Sequence, residues 1–384
     1  MKFSKSSQLF LVSSIGLLVA TLLAACSVST VDYVFVTSAP SSSTGQIYTF
    51  DADSESGALR SGSAAVSSGG VDPVAMAVTS DYANLYVANN TTGNVVHFTI
   101  GSNGVLTESG SISIAAPVAL AVNSAGTYLY VVSGTTSATL SEYALSSGTI
   151  SSTATATQPL TRSGDTMVPT GITVLANTST VSGNGVYVTA YDQTASSGWI
   201  FGFTVTGGAL NATASSPYAA GVQPSSIAST PTDLYVYVTD YALNQLIGYS
   251  IVDGALSSKG IPLTSTGNEP SAVAIDPRGL FIYVSNAGDS TVSAYAITLA
   301  SGTPTAVVNS SGKTDTGPVA IAVDPALGRF VYTANYLSSS LSGFRLNSTS
   351  GALTTTQGTS YTTPDPTTLV IVPHGNHATE SVSP

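Results

Sequence analysis

The sequence predicts an all-β protein made of seven similar units, and three observations support this prediction. Residues that favour strands are abundant, with 19 tyrosines among 384 residues and many β-branched segments. Proline-led apolar segments recur along the chain at intervals of 44 to 55 residues. A tyrosine-containing segment follows most of them at a nearly constant distance. Such spacing is typical of a fold that repeats one structural unit.

The first strand of each unit is expected to begin at a proline. The prolines are Pro73, Pro117, Pro169, Pro224, Pro270, Pro318 and Pro366. Proline is tolerated at the first residue of a strand, where its missing N–H costs no necessary ladder bond. Small and large apolar residues alternate behind it, as in Pro73-Val-Ala-Met-Ala-Val. This alternation suits the tapering centre of a ring of sheets, so we expect these strands to be innermost.

Three further strands complete each unit. The second strand carries a tyrosine, at Tyr86, Tyr130, Tyr187, Tyr237, Tyr283 and Tyr332. The third strand has an aromatic residue near its end, and a glycine-led turn such as Gly254-Ala-Leu256 opens the fourth. Four antiparallel strands joined by hairpins form one blade of a β-propeller.

The two ends of the predicted domain complement each other. Residues 33–59 read as strands two, three and four without a first strand, and residues 366–372 read as a first strand alone. Pairing them closes the ring and removes an edge that would favour aggregation. The prediction is therefore one seven-bladed β-propeller over residues 33–373, closed by pairing the N-terminal strands with a C-terminal inner strand.

The first 25 residues have the pattern of an export signal, with Lys2 and Lys5 before an apolar run. The segment Leu23-Ala24-Ala25-Cys26 resembles the lipobox of bacterial lipoproteins, in which cleavage precedes a cysteine that carries diacylglycerol. The resemblance implies a signal peptide at residues 1–25 and lipidation of Cys26, the only cysteine. A retained membrane helix and an ordinary signal with a chance cysteine are the alternatives.

The expected anchor bounds the location of the domain. Residues 26–32 would form a linker that holds the domain within roughly 20–25 Å of the lipid. Ser27 after the cysteine resembles the pattern of outer-membrane lipoproteins. We therefore expect a protein of the cell envelope, in the periplasm or at the surface, that contacts the membrane only through its lipid.

Charge excludes one class of partner. Without the signal peptide, seven basic residues oppose twenty acidic ones, a net charge near −13. Nucleic acid would be repelled, and no basic stripe in the sequence offsets this repulsion.

The repeated Tyr-Val-x-Asn/Asp core, with Asp276-Pro277 and Asp324-Pro325 in the preceding hairpins, resembles the YVTN-type repeat family of surface and envelope β-propellers. It also resembles the lactonase-like propeller family, whose characterised enzymes include 6-phosphogluconolactonase and carboxymuconate cyclase. The resemblance covers residues 33–373 and consists of structural residues. It implies that an enzyme of this type would gather histidine, arginine and acidic side chains around its central mouth.

Few basic residues fall where such a site is expected. His97 is placed in a third strand as a packed residue, and Arg278, Arg329 and Arg345 are placed away from the mouth. Only Arg162 and Lys313 lie in loops that lead into inner strands. Lactone opening needs a base and a group that stabilises the oxyanion. Arg162 and Glu269 are the catalytic candidates that remain.

Polar residues are also expected at the mouth. The candidates for ligand binding are Asp72, Asp192, Gln223, Asp240, Glu269, Asn286, Asn335 and Asp365. Such a ring could hold a hydroxyl-rich ligand or a divalent cation such as calcium, the one cofactor considered. The alternative is that they are turn residues that satisfy local backbone donors. His374 and His377 fall in a polar tail, residues 374–384, which we expect to be mobile and to bind no metal.

Three functions remain open. The preferred hypothesis is a monomeric, non-catalytic scaffold that binds an envelope protein or glycan. The alternative is a lactonase-type hydrolase, similar to 6-phosphogluconolactonase, with a divergent active site. A sugar- or quinone-type dehydrogenase ranks last, because basic residues for an anionic cofactor are lacking.

Overall fold

The computed structural model describes residues 29–382 except 42, 136, 163–164, 177–183, 207, 309–311 and 359. Cys26 and the predicted signal peptide lie outside the described residues. None of the helices in the described ranges has the length and hydropathy needed to cross a membrane.

The strands group into seven antiparallel sheets, the blades, numbered here along the chain. Blade 1 contains β1 (Thr30–Ser38), β2 (Thr44–Asp53), β3 (Leu59–Ser61) and β4 (Val66–Val71). Blade 2 contains β5 (Pro73–Val78), β6 (Asn84–Asn89), β7 (Asn94–Ile100) and β8 (Leu106–Ser113). Blade 3 contains β9 (Pro117–Val122), β10 (Tyr128–Ser133), β11 (Thr139–Ser146), β12 (Thr149–Ile150) and β13 (Ala156–Pro159). Blade 4 contains β14 (Met167–Val174), β15 (Asn184–Asp192), β16 (Ser197–Thr206), β17 (Ala209–Ala212) and β18 (Tyr218–Ala219).

The remaining blades repeat this plan. Blade 5 contains β19 (Pro224–Ser229), β20 (Tyr235–Asp240), β21 (Gln245–Val252), β22 (Ala255–Ser257) and β23 (Thr264–Ser265). Blade 6 contains β24 (Pro270–Ile275), β25 (Phe281–Asn286), β26 (Thr291–Thr298), β27 (Thr303–Ala306) and β28 (Gly312–Lys313). Blade 7 contains β29 (Pro318–Val323), β30 (Phe330–Asn335), β31 (Ser340–Leu346), β32 (Leu353–Thr355) and β33 (Tyr361–Thr362), with a 3-10 turn at Tyr336–Ser338. The last strand, β34 (Pro366–Pro373), precedes a second 3-10 turn at Gly375–Thr379.

The predicted closure of the ring is confirmed. β34 pairs antiparallel with β1, from Asp32 opposite Pro373 to Ser38 opposite Pro366. It thereby becomes the inner strand of blade 1, and it also contacts the inner strands β5 and β29 of the neighbouring blades. β1 begins at Thr30, so the strand includes three residues that the sequence assigned to the linker.

The fourth strand differs from the prediction, because it is interrupted in six of the seven blades. In each of these blades two short segments pair with one third strand, as β22 and β23 do with β21. Pro217 and Pro262 lie in the interruptions of blades 4 and 5 and have no N–H to donate. Only blade 2 has a continuous fourth strand among the described residues, β8.

The second-strand tyrosines link neighbouring blades. Five of the six predicted tyrosines donate their hydroxyl to the carbonyl of a turn glycine in the next blade, at 2.6–2.9 Å. The pairs are Tyr86–Gly148, Tyr187–Gly254, Tyr237–Gly302, Tyr283–Gly351 and Tyr332–Gly57. All five glycines have a φ of 69–81°, a region that favours glycine. The pair Tyr332–Gly57 joins blade 7 to blade 1 and so completes the ring.

Blade 3 departs from this pattern. Tyr130 lies opposite Glu142 on the neighbouring strand, and both side chains are fully buried. The Tyr130 hydroxyl and the Glu142 carboxyl interact with each other, and within the described structure neither has a hydrogen bond of good geometry to any other group. Burial raises the pKa of the Glu142 carboxyl. Its neutral, protonated form is therefore favoured in the folded protein.

Tyr237→Phe tests the link between blades. The change leaves the buried Gly302 carbonyl without its donor, so we expect the free energy of unfolding to fall by about 1–2 kcal/mol. Urea denaturation followed by circular dichroism would measure it. Tyr130→Phe is the matched control, since Tyr130 forms no bond to a turn glycine among the described residues, and its stability should change less. Equal losses in the two variants would contradict the assigned role of the hydrogen bond.

Glu142→Gln tests the buried carboxyl. Since the pKa of Glu142 is raised in the folded state, its ionisation lowers stability as the pH rises through that folded pKa. The variant should be more stable than wild type at pH 8, by about 1 kcal/mol. The gain should disappear near pH 4, where the carboxyl is protonated in both states. Denaturation midpoints at both pH values would show this, and a gain independent of pH would be inconsistent with it.

Candidate functional site

The inner strands surround a cavity on the propeller axis. We call the face where these strands begin the mouth face, and the face with the first-to-second-strand turns the base face. The cavity has a volume of about 370 Å³ and is lined by the three residues near the start of each inner strand that follow its proline. Fifteen of these 21 residues are apolar, with small and large side chains in alternation, and the other six are serine or threonine. Among the described residues, no charged side chain and no histidine lines this cavity.

Hydroxyl groups in this cavity form hydrogen bonds between neighbouring strands. Ser225, Ser271 and Thr367 each donate to the carbonyl of the inner-strand proline in the next blade, at 2.6 Å. Each hydroxyl also lies within 2.8–2.9 Å of a second-strand hydroxyl of its own blade. These bonds hold adjacent inner strands together. The residues that the structure describes therefore provide no acid, base or cation to the axial cavity.

The residues before the inner-strand prolines lie on the mouth face, where the sequence placed them. Asp72, Glu269 and Asp365 have positive φ values of 63°, 55° and 39°. Their carbonyls accept hydrogen bonds from loop N–H groups at 2.8–3.1 Å, and the Gln223 carbonyl accepts one from Tyr241 at 2.9 Å. These backbone hydrogen bonds fix the conformation of the loops on the mouth face. The Glu269 side chain is exposed to solvent, and the other three are partly exposed.

The residues that end the second strands are placed differently from the prediction. Asp192, Asp240, Asn286 and Asn335 have at most 1% of their surface exposed. Asp240 accepts backbone N–H groups of Val222 and Gln223 at 2.7 and 3.2 Å. The other three bond in the same way to loop backbone or to neighbouring hydroxyls. The expectation that these four side chains line an open polar ring is wrong, because strand side chains point toward neighbouring blades rather than the axis.

A cleft on the mouth face lies between blades 5 and 6. It has a volume of about 460 Å³ and is lined by Gln223, Tyr241, Ala242, Asn244, Asn268, Glu269 and Gly288. Asn244 accepts the Glu269 N–H at 2.7 Å and so positions this residue. Burial raises the pKa of the Tyr241 phenol, and both a hydrogen bond to the Glu269 side chain and the charge of that carboxylate add to the rise. The cleft therefore combines a carboxylate with a phenol that keeps its proton at neutral pH.

Arg162 is held at the mouth face by two contacts. Its guanidinium carbon lies 3.7 Å from the centre of the Trp199 ring, and Nη1 lies 3.3 Å from a carboxylate oxygen of Asp165. Such contacts orient the cation and partly neutralise its charge. Lys313 is exposed in β28. Arg278 pairs with Asp276 at 2.7 Å on the base face, as predicted for that arginine.

His97 is a packed residue, as predicted. It is 3% exposed, its ring stacks on Tyr86 at 5.1 Å, and Nε2 lies 2.8 Å from Oδ1 of Asn84. Burial lowers the pKa of His97. This histidine has no access to the mouth.

The prediction of a mobile tail is wrong for His377, which is 5% exposed. Its Nε2 lies 3.4 Å from Oδ1 of Asp32 and 3.3 Å from Oδ1 of Asp324, and its Nδ1 lies 2.7 Å from Glu380. We call Asp32, Asp324 and His377 the base cluster. A polar Asp32 beside an apolar strand was the sequence signal, but its partners come from the other end of the chain.

The charges of the base cluster depend on one another. Burial, and then the charge of Asp324, raise the pKa of Asp32 to about 8. Burial opposes the charged form of His377, but hydrogen bonds to Asp324 and Glu380 raise its pKa to about 9. Burial would also raise the pKa of Asp324, but bonds from His377 and from the Arg329 and Ala326 N–H groups lower it.

Comparison with known families gives one match over most of the chain. The family described as lactonase, seven-bladed β-propeller, matches residues 33–371. Among curated proteins, none matches the sequence.

Solved structures share the fold at low sequence identity. A putative 6-phosphogluconolactonase from Bacteroides uniformis is 19% identical, with a TM-score of 0.71, covering 90% of this chain and 100% of that one. The periplasmic gluconolactonase of Pseudomonas aeruginosa is 17% identical, with a TM-score of 0.72, covering 89% and 99%. A protein from Lactobacillus plantarum is 18% identical, with a TM-score of 0.71, covering 90% and 100%. At these identities the similarity establishes the fold.

Proposed function

The chain belongs to the lactonase family of seven-bladed β-propellers, and from this premise we propose that it is a lactone hydrolase acting on a neutral sugar lactone. The family match over residues 33–371 is the observation that carries the proposal. The similarity to a periplasmic gluconolactonase supports it further. These findings favour the hydrolase over the binding scaffold that was preferred from the sequence alone.

The cleft between blades 5 and 6 supplies groups that this reaction needs. The exposed Glu269 carboxylate takes a proton from a water molecule as that water attacks the lactone carbonyl carbon. The Tyr241 phenol donates a hydrogen bond to the oxyanion that forms. When the bond between the acyl carbon and the ring oxygen breaks, the ring oxygen takes up the proton from Glu269. One water is consumed, and the product is an open hydroxy acid.

Charge favours a lactone without a phosphate. The chain carries 20 acidic and nine basic residues, and the cleft contains Glu269 but no basic side chain among its described residues. A phosphate monoester brings about two negative charges, which this surface would repel. A neutral lactone escapes this repulsion, whereas its carboxylate product experiences it. The same field therefore favours entry of the substrate and release of the product.

The cell envelope is the proposed location of this activity. The lipobox-like segment ending at Cys26 supports a lipid anchor after export. Since β1 begins at Thr30, only residues 27–29 would separate the lipidated cysteine from the propeller. The domain would then sit within about 15 Å of the lipid surface.

The first experiment is lactone hydrolysis by purified residues 27–384, with spontaneous hydrolysis subtracted and with calcium or magnesium present or absent. We expect kcat/KM for glucono-δ-lactone to exceed that for 6-phosphogluconolactone by at least about tenfold, because the acidic mouth repels the phosphate. A preference for the phosphorylated lactone would refute the charge argument. No turnover on any lactone would refute the hydrolase.

Glu269→Gln tests the proposed base. We expect kcat to fall by about 10²–10⁴-fold, the usual effect of losing a general base. Glu108→Gln is the matched control, because Glu108 is exposed on β8, away from the cleft. A Glu269→Gln variant with the activity of wild type would place the reaction elsewhere, and Arg162→Gln would be the next variant.

Cys26→Ser tests the anchor. In a bacterium that expresses the full chain, wild type should fractionate with membranes and incorporate radiolabelled fatty acid, because the thiol carries the lipid. The variant should do neither, and it should keep its lactone turnover, since Cys26 precedes the domain. Membrane association that survives the substitution would show that something other than this lipid holds the protein.

A further inference from the structure

The base cluster is placed where three distant parts of the chain meet. Asp32 lies in the first strand, Asp324 lies in the first-to-second-strand turn of blade 7, and His377 lies in the 3-10 turn after the last strand. All three side chains are at most 5% exposed. Their donor atoms, one from each residue, lie within 4.8 Å of one another. The cluster is on the base face and is separate from the proposed catalytic cleft.

We propose that the base cluster is a binding site for a zinc-type divalent metal ion, which fastens the C-terminal segment to the closing blade. This site is independent of the proposed lactone hydrolysis. Imidazole nitrogen combined with carboxylate oxygen suits zinc. Calcium is disfavoured, because it takes six to eight oxygen ligands.

The Asp32 carboxyl group is buried without a hydrogen-bond donor in the part of the chain that the structure describes. Asp32 is fully buried, and neither of its carboxylate oxygens has a hydrogen-bond partner among the described residues. The charge of Arg329 also acts on Asp32, but the Arg329 guanidinium donates to the carbonyl of Ser54 at 2.7 Å. A buried carboxylate without donors is costly, and binding to a metal ion is one of the few arrangements that compensates for it.

Both ring nitrogens of His377 lie close to carboxylate oxygens, at distances that suit a metal site. The contact between Nδ1 and Glu380 is 2.7 Å, the length of a charge-assisted hydrogen bond, which places a proton on Nδ1. Nε2 lies 3.3 Å from Oδ1 of Asp324, a long hydrogen bond, and 3.4 Å from Oδ1 of Asp32, with which it forms none. Two ligands of a tetrahedral zinc ion, each at about 2.05 Å, are about 3.3 Å apart. The separations therefore match two ligand pairs of one ion.

Glu380 lies beside the ring nitrogen of His377 that faces away from the two aspartates. Histidines that bind a metal through one ring nitrogen usually donate the other N–H to a carboxylate, which fixes the orientation of the ring. Glu380 occupies that position on His377. In the metal-bound cluster, a neutral imidazole and two carboxylates would supply two negative charges for a divalent ion to neutralise, since metal binding releases the protons of its ligands. A fourth position would remain for water.

The test uses residues 27–384, which contain every described residue, without an affinity tag and stripped of metal. We expect one zinc ion per chain after equilibration with zinc and gel filtration, measured by mass spectrometry of the metal, and no retained calcium. Zinc at about 100 times its Kd should raise Tm by roughly 5 °C. A metal content far below one per chain would overturn the proposal.

Variants locate the ion. Asp32→Asn and His377→Gln should each reduce zinc content from one to below about 0.1 per chain. Glu380→Gln should keep the ligands but weaken zinc binding by about 10–100-fold. His374→Gln is the matched control, since the His374 ring packs at a tilt of 52° against Tyr33 outside the cluster, and this variant should bind zinc as wild type does. Equal zinc content in all four variants would mean adventitious binding.

Folding of the variants is checked without metal. Asp32→Asn replaces a buried carboxyl group whose oxygens have no donor among the described residues, so the metal-free variant should have a Tm equal to or above that of the metal-free wild type. Its Tm should not respond to zinc. A zinc-dependent rise in Tm in this variant would overturn the assignment of the ligand. Since these measurements do not use lactone turnover, failure of the metal site and failure of the proposed hydrolase would be distinguishable.

Discussion

The hydrogen bond from a buried tyrosine to the turn glycine of the next blade is the interaction on which the rest of this propeller depends. A single four-stranded blade has two apolar faces and cannot bury both of them alone. The bond fixes how far one blade rotates against the next, because it joins the middle of a second strand to a turn on the base face. Five such bonds occur among the residues that the structure describes, and one of them spans the junction between the chain ends.

This geometry also explains why the chemistry of the protein lies on its rim. The faces of each sheet are covered by neighbouring blades. Polar residues at the ends of second strands are therefore buried and form hydrogen bonds within the fold. Hydroxyls on the inner strands are used in the same way, since they bond to the prolines of adjacent blades. Side chains in the loops before the prolines remain at least partly exposed to solvent and can contact a ligand. Glu269 is the residue that combines this exposure with a cleft of suitable size.

Much of the fold was predictable because a propeller repeats a local pattern. The prolines, the tyrosines and the unmatched ends were enough to predict seven blades and the closing strand. The partner of each tyrosine was not predictable in the same way, since Tyr237 and Gly302 are 65 residues apart and meet only in the assembled ring. Asp240 illustrates the same limit, because its type and position suited a mouth residue equally well. Only the rotation of its sheet shows that it points between blades.

The base cluster shows how a closed ring can depend on its ends. The strand pairing of β1 with β34 ends at Pro373 and does not constrain the residues that follow. His377 is nevertheless buried against both Asp32 and the turn of blade 7 that contains Asp324. Backbone pairing of β1 with β34 and the side chains of the cluster therefore hold the same junction. In a repeat fold each blade contacts only its neighbours, so opening at this junction would expose two apolar faces at once. The junction between the two ends of the chain is therefore held both by strand pairing and by side-chain contacts of the base cluster.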